Sequence, residues 1–67
     1  MDIKKNLGKN IQQFRKSKKI TQDKLAEIIG IEPKSISRIE NGTCSPTIAT
    51  LEALANGMGK KLIVSFE

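Results

Sequence analysis

"SISRIENG", residues 35–42, is the stretch that decides how the rest of the chain is read. Ile36 and Ile39 lie three apart, the spacing of one stripe on a helix. Around them stand Ser35, Ser37, Arg38, Glu40 and Asn41, all polar and either short or forked, and Gly42 stops the run. The helix therefore has an anchoring side and a polar side. The polar side is either plainly solvated or built to read something. Pro33 suits the first turn of this helix, where its missing N–H is not needed, so the helix is expected over about residues 33–41.

Working outward, "TQDKLAEIIGI" (21–31) supplies another short helix just before it. Thr21 is a good N-cap. Asp23 falls in the first turn, where the positive end of the helix dipole favours it. Leu25, Ala26, Ile28 and Ile29 give the apolar face, and Gly30 can end the helix in a left-handed conformation, so residues 22–29 are the expected span. Further toward the N-terminus, Ile3, Leu7, Ile11 and Phe14 form one helical stripe, giving a helix over about 3–17 and a basic connector at Lys16–Lys19. On the other side, "GTCSPT" is a loop with two breakers, in which Ser45 or Thr47 could cap a last helix at about 47–57 carrying Ile48, Leu51, Leu54, Ala55 and Met58.

The tail differs in kind. In "KKLIVSFE" (60–67), Leu62, Val64 and Phe66 alternate with Ile63, Ser65 and Glu67, the pattern of a strand. No second strand is visible to pair with it, and an unpaired strand leaves its backbone groups unsatisfied. A second copy of the same tail is the simplest partner, which predicts a homodimer built through Leu62, Ile63, Val64, Ser65 and Phe66. The alternatives are an extended segment packed on its own helices, or a cut from a longer chain. The expected fold is thus all-α, a small four-helix domain over 1–59, followed by a β-strand used for dimerisation over 60–67.

Bulk properties narrow the chemistry. The chain has 67 residues, enough for one small domain of marginal stability. Cys44 is the single cysteine, so no intrachain disulfide is available, and a lone thiol fits a reducing cytoplasm. Without histidine a zinc site is not expected, and no cofactor is called for. No apolar run approaches a membrane span, and MDIKKNLGKN lacks the apolar core of a signal peptide. The net charge is +5, but residues 1–19 hold seven of the 12 basic residues against Asp2 alone. Such a one-sided excess is the footprint of a polyanion binder, although many small basic domains bind nothing acidic. No nucleophile–base set is present, and Cys44 has no base near it in sequence, so an enzyme is not expected.

Two short helices joined by a tight Gly-containing turn match the helix-turn-helix unit, whose second helix can enter the DNA major groove. The sequence resembles the phage repressor and Cro-like (XRE-type) helix-turn-helix regulators. The resemblance is carried by "TQDKLAEIIGI", "SISRIENG", "SPT" at 45–47 and "LEALANGMG" at 51–59. It implies that Gln22 bonds a phosphate and braces the recognition helix. It also implies that base edges are read from Glu32, Pro33, Lys34, Ser37 and Arg38. Lys34 and Arg38, four apart, share a face and can both donate to guanine O6 and N7. The alternative for each is a phosphate contact without base reading.

Glu32 and Pro33 depart from the Thr or Ser that many relatives carry at this entrance. Glu32 is a poor N-cap that would repel phosphate, so it accepts from a cytosine amino group or turns aside. By the same resemblance Asn41 and Thr43 touch the sugar-phosphate backbone, and Lys16, Lys18 and Lys19 add looser phosphate contacts unless they are simply solvated. Arg15 and Glu40 are implied to form a structural ion pair between the first helix and the end of the third. The expected function is a sequence-specific double-stranded DNA-binding regulator, a repressor occupying a palindromic operator as a homodimer. The alternatives are a DNA-binding antitoxin with a toxin partner, and a protein–protein adaptor on the same fold.

Overall fold

The computed structural model describes residues 2–67. Its elements are α1 (Ile3–Ser17), α2 (Gln22–Ile29), α3 (Pro33–Asn41) and α4 (Ile48–Gly57). Side-chain caps begin three of the four. The Asp2 carboxylate accepts from the Lys5 N–H, the Thr21 hydroxyl from Lys24 and the Thr47 hydroxyl from Thr50. Of the two caps foreseen as possible for α4, Thr47 is the one used. The exception is α3, where Glu32 occupies the cap position without a side-chain hydrogen bond and Pro33 opens the helix.

Each helix ends on a left-handed residue, at Lys19, Gly30, Gly42 and Gly59. At the end of α3 the Thr43 N–H donates to the Arg38 carbonyl at 3.0 Å and the Gly42 N–H to Ile39 at 3.1 Å. This pair of bonds satisfies carbonyls that the helix itself leaves open. Ile20 N–H to Arg15 and Lys60 N–H to Ala55 play the same part for α1 and α4.

The apolar stripes converge on one core of Ile11, Leu25, Ala26, Ile36, Ile39, Leu54 and Met58. Leu25, Ile36 and Leu54 are fully buried, each worth about 1.5–3 kcal/mol relative to exposure. Packing runs α1 on α3, α2 on α3 and α2 on α4. The α1–α3 crossing is close because Gly8 is buried there. A Cβ on Gly8 would collide with the carbonyl oxygens of Glu40 and Ile39.

The tail corrects the expectation of a strand. Residues 60–67 form no strand in the structure. A strand needs a partner backbone, and the described residues supply none. The start of the segment lies instead along a shallow apolar groove of about 240 Å³ between α1 and α4, bordered by Phe14, Leu51, Met58 and Leu62. The Lys60 ammonium sits 5.2 Å from the centre of the Phe14 ring, a cation–π distance. Only Leu62 is half-buried; Ile63, Val64, Ser65 and Phe66 remain exposed.

Candidate nucleic-acid interface

The α3 helix divides by face. Ile36, Ile39 and Glu40 point into the protein and are buried. Lys34, Arg38 and Asn41, spaced four and three apart, lie exposed on the opposite side, and Ser37 is half-buried on the flank. Glu32 and Pro33 are exposed at the entrance. With no capping bond to make, the Glu32 carboxylate is left free, as its poor fit to the N-cap position anticipates. The expected reading residues are therefore brought onto one end and one face of a single helix.

What holds that helix in place is a buried polar cluster. The Arg15 Nε donates to Glu40 Oε2 at 2.6 Å and an Nη donates to Oε1 at 3.0 Å, a two-pronged guanidinium–carboxylate pair. The side chains are 9% and 1% exposed, so the pair is buried and structural, as the resemblance implies. The other Arg15 Nη donates to the Ile20 carbonyl at 2.9 Å, fastening the α1–α2 turn to the same cluster. Burial alone would raise the Glu40 pKa. The hydrogen bonds from Arg15 and Gln22 and the nearby charges of Arg15 and Lys16 outweigh it and hold the carboxyl below its ordinary range. The Arg15 guanidinium is correspondingly pushed up by its hydrogen bond to Glu40, against the opposing effect of burial.

Gln22 proves to have a second engagement. Its side-chain amide donates to Glu40 Oε1 at 3.0 Å, which joins α2 to the pair. One amide hydrogen of Gln22 remains for another acceptor. This bond was not foreseen in the sequence, because the residues are 18 apart and no spacing rule connects them.

Thr43 also has a structural task. Its hydroxyl donates to the Arg38 carbonyl at 3.2 Å, closing the end of α3 beside Asn41. Lys19 adopts φ 57°, so it shapes the α1–α2 turn as well as carrying charge. Lys16, Lys18 and Lys19 are all exposed. Cys44 is a free, half-buried thiol packed against the core. No group of residues that could hold a metal is present among the described residues. None of the described helices is long and apolar enough to cross a membrane.

Comparison with known proteins agrees with this architecture. An HTH-type transcriptional regulator of Sinorhizobium fredii is 34% identical over 59 residues, covering 88% of this chain and 77% of that protein. Antitoxin PezA of Streptococcus pneumoniae is 42% identical over 48 residues, covering 72% of this chain but 30% of its own length. Among solved structures, the clp gene regulator ClgR from C. glutamicum superposes with a TM-score of 0.85 at 25% identity, covering 88% of this chain and 76% of that one. Residues 11–64 match the helix-turn-helix (HTH_3) family, and the chain belongs to that family of DNA-binding, XRE-type regulators.

Proposed function

We propose that the chain is a sequence-specific double-stranded DNA-binding regulator that represses by occupying its operator, with α3 in the major groove. The observation that carries this reading is the exposed Lys34–Arg38–Asn41 face on a helix anchored by the buried Arg15–Glu40 pair. Lys34 and Arg38 present donors to guanine edges, and Ser37 adds a short hydroxyl on the flank. Asn41 at the end of this face, with Thr43 in the turn after it and Gln22 and Lys19 at and before the start of α2, contact phosphates, fixing register without reading sequence.

The regulator acts as a homodimer on a palindromic site, the two α3 helices lying about 34 Å apart in successive major grooves. Support for the second copy comes from the tail, where Ile63 is 80% exposed and Phe66 wholly so. Sedimentation of the full chain against one ending at Gly59 tests this. Equal masses would remove the tail from the dimer contact.

Selection from a randomised duplex pool tests the reading as a whole. A single enriched site is expected, and Arg38→Ala should cost about 1–3 kcal/mol and relax selection at one position. A pool without enrichment, together with binding unaffected by Arg38→Ala, would exclude a specific regulator and favour an adaptor on the same fold. The likeness to antitoxin PezA supports a second reading, in which a toxin docks on the folded surface while α3 holds DNA. A toxin reading frame beside this gene, and a complex isolated on co-expression, would support it.

A further inference from the structure

Three of the five basic residues of α1 share one exposed face, and of these only Lys16 has been given a phosphate contact above. Lys5, Lys9 and Lys16 are four and seven residues apart, and all are exposed. They project from the side of α1 away from the buried Ile11 and half-buried Leu7. Among the described residues no carboxylate lies within ion-pair reach of any of them; the pairs present are Arg15–Glu40 and Lys24–Glu27. Lys5 and Lys9, one turn apart and without a carboxylate in reach, repel one another unless an anion faces them, whereas Lys16 lies near enough to the Glu40 carboxylate to help hold its pKa down.

The stripe has a defined position relative to α3. Gly8 puts the α1 backbone directly on the Ile39 and Glu40 carbonyls. One turn earlier, α1 meets the end of α3: a Cβ placed on Gly42 would lie 2.7 Å from Lys5 Cγ and 3.0 Å from Lys5 Cα. The Lys5 stem therefore packs against the turn that carries Asn41 and Thr43, residues assigned above to the DNA backbone. Lys9 continues the same face one turn along α1.

We infer that Lys5 and Lys9 are further phosphate contacts, extending the DNA footprint from the α3–α4 turn along α1. The inference rests on the regulator reading and adds its second, sequence-independent arm. A lysine ammonium reaches a phosphate as a point charge and needs no fixed angle, which suits an exposed helical stripe. An acidic protein surface would also meet these lysines. Their abutment on the α3–α4 turn favours the strand that the turn itself follows.

The test is binding of the full chain to a duplex carrying its selected site, and to a scrambled duplex, between 50 and 200 mM salt. The wild type is compared with a Lys5→Gln/Lys9→Gln double variant and with Lys61→Gln, a tail residue bordering the groove on the other side of α1. Each phosphate contact adds about 0.9 to the salt slope, so a fourfold rise in salt costs about 3.5-fold in affinity per contact. The double variant should lower the slope by about 2 per bound chain and weaken both duplexes equally, while Lys61→Gln leaves the slope unchanged. An unchanged slope in the double variant would overturn the inference. So would a loss confined to the selected site, or an equal loss per charge in Lys61→Gln. If the wild type itself binds no duplex, the regulator reading fails and this one with it; if the wild type binds and only the slope prediction fails, the regulator reading stands alone.

Discussion

Glu40 is the residue whose removal should do most damage for its size. Its side chain is 1% exposed and accepts two hydrogen bonds from Arg15 and one from Gln22. Glu40→Ala leaves the Arg15 guanidinium in the same enclosed position with the Ile20 carbonyl as its remaining acceptor. Breaking a buried pair in this way costs about 3–5 kcal/mol, and the residual access at Arg15 argues for the lower end, about 3 kcal/mol. At roughly 0.05–0.15 kcal/mol per residue, a chain of 67 residues is stable by about 3–10 kcal/mol in all. The variant should therefore sit near the edge of folding. Helical signal followed through urea measures this directly: with a slope of about 1 kcal/mol/M the midpoint should fall by about 3 M. Arg15→Met should cost a similar amount for the mirror reason. The double variant Arg15→Met/Glu40→Leu should cost far less than the two together, because neither charge is then left alone. Strict additivity, or a loss below about 1 kcal/mol in Glu40→Ala, would refute the claim that these helices are tied by a desolvated pair.

Four further outcomes follow from the same structure. The Glu40 carboxyl is held below its ordinary value of 4.5, so its contribution is fully present above that pH. That contribution is lost as pH falls further, and an acid titration should show wild-type stability dropping below pH 4.5 more steeply than that of Glu40→Gln. Lys19 holds φ 57° without the freedom of glycine, so Lys19→Gly should stabilise the fold by about 1 kcal/mol, raising the urea midpoint by about 1 M, while weakening DNA binding. Gly8→Ala drives a methyl into the Glu40 and Ile39 carbonyls and should cost about 1–3 kcal/mol, read as a lower melting temperature. Gly42→Ala should cost more than the left-handed penalty of about 1–2 kcal/mol, since the new methyl also meets Lys5; adding Lys5→Ala should recover only the part due to the Lys5 Cγ, leaving the backbone penalty in the urea midpoint.

The helices were legible almost residue by residue, and the reason lies at their ends. Thr21, Pro33 and Thr47 start helices by local chemistry, and Gly30 and Gly42 stop them by backbone conformation. Such signals need no knowledge of the rest of the chain. Lys19 does the same stopping job without the signal, since any residue can be forced into that conformation by the bonds around it. The tail misled for the opposite reason. Alternation in 60–67 is a property of the segment, but a strand is a property of a pair. The contact between Gln22 and Glu40 was hidden because it depends on how α2 and α3 cross, which no linear spacing encodes.

That crossing links stability to recognition. Gln22 lies at the first position of α2, Glu40 near the end of α3 and Arg15 near the end of α1. One carboxylate therefore sets the relative position of three helices, two of which face the DNA in the proposed complex. Arg15→Lys separates the two functions of the cluster. It keeps the charge but loses the fork, so the two-pronged contact to Glu40 and the bond to the Ile20 carbonyl cannot all be made at once. The domain should still fold at low temperature, with a loss near 1–2 kcal/mol. Its DNA affinity should nevertheless fall, because α3 is no longer clamped at a fixed angle to α1. If Arg15→Lys bound its site as tightly as the wild type while losing stability, the cluster would be a staple of the fold alone, and the alignment of the reading helix would have to come from the apolar contacts of Ile36 and Ile39.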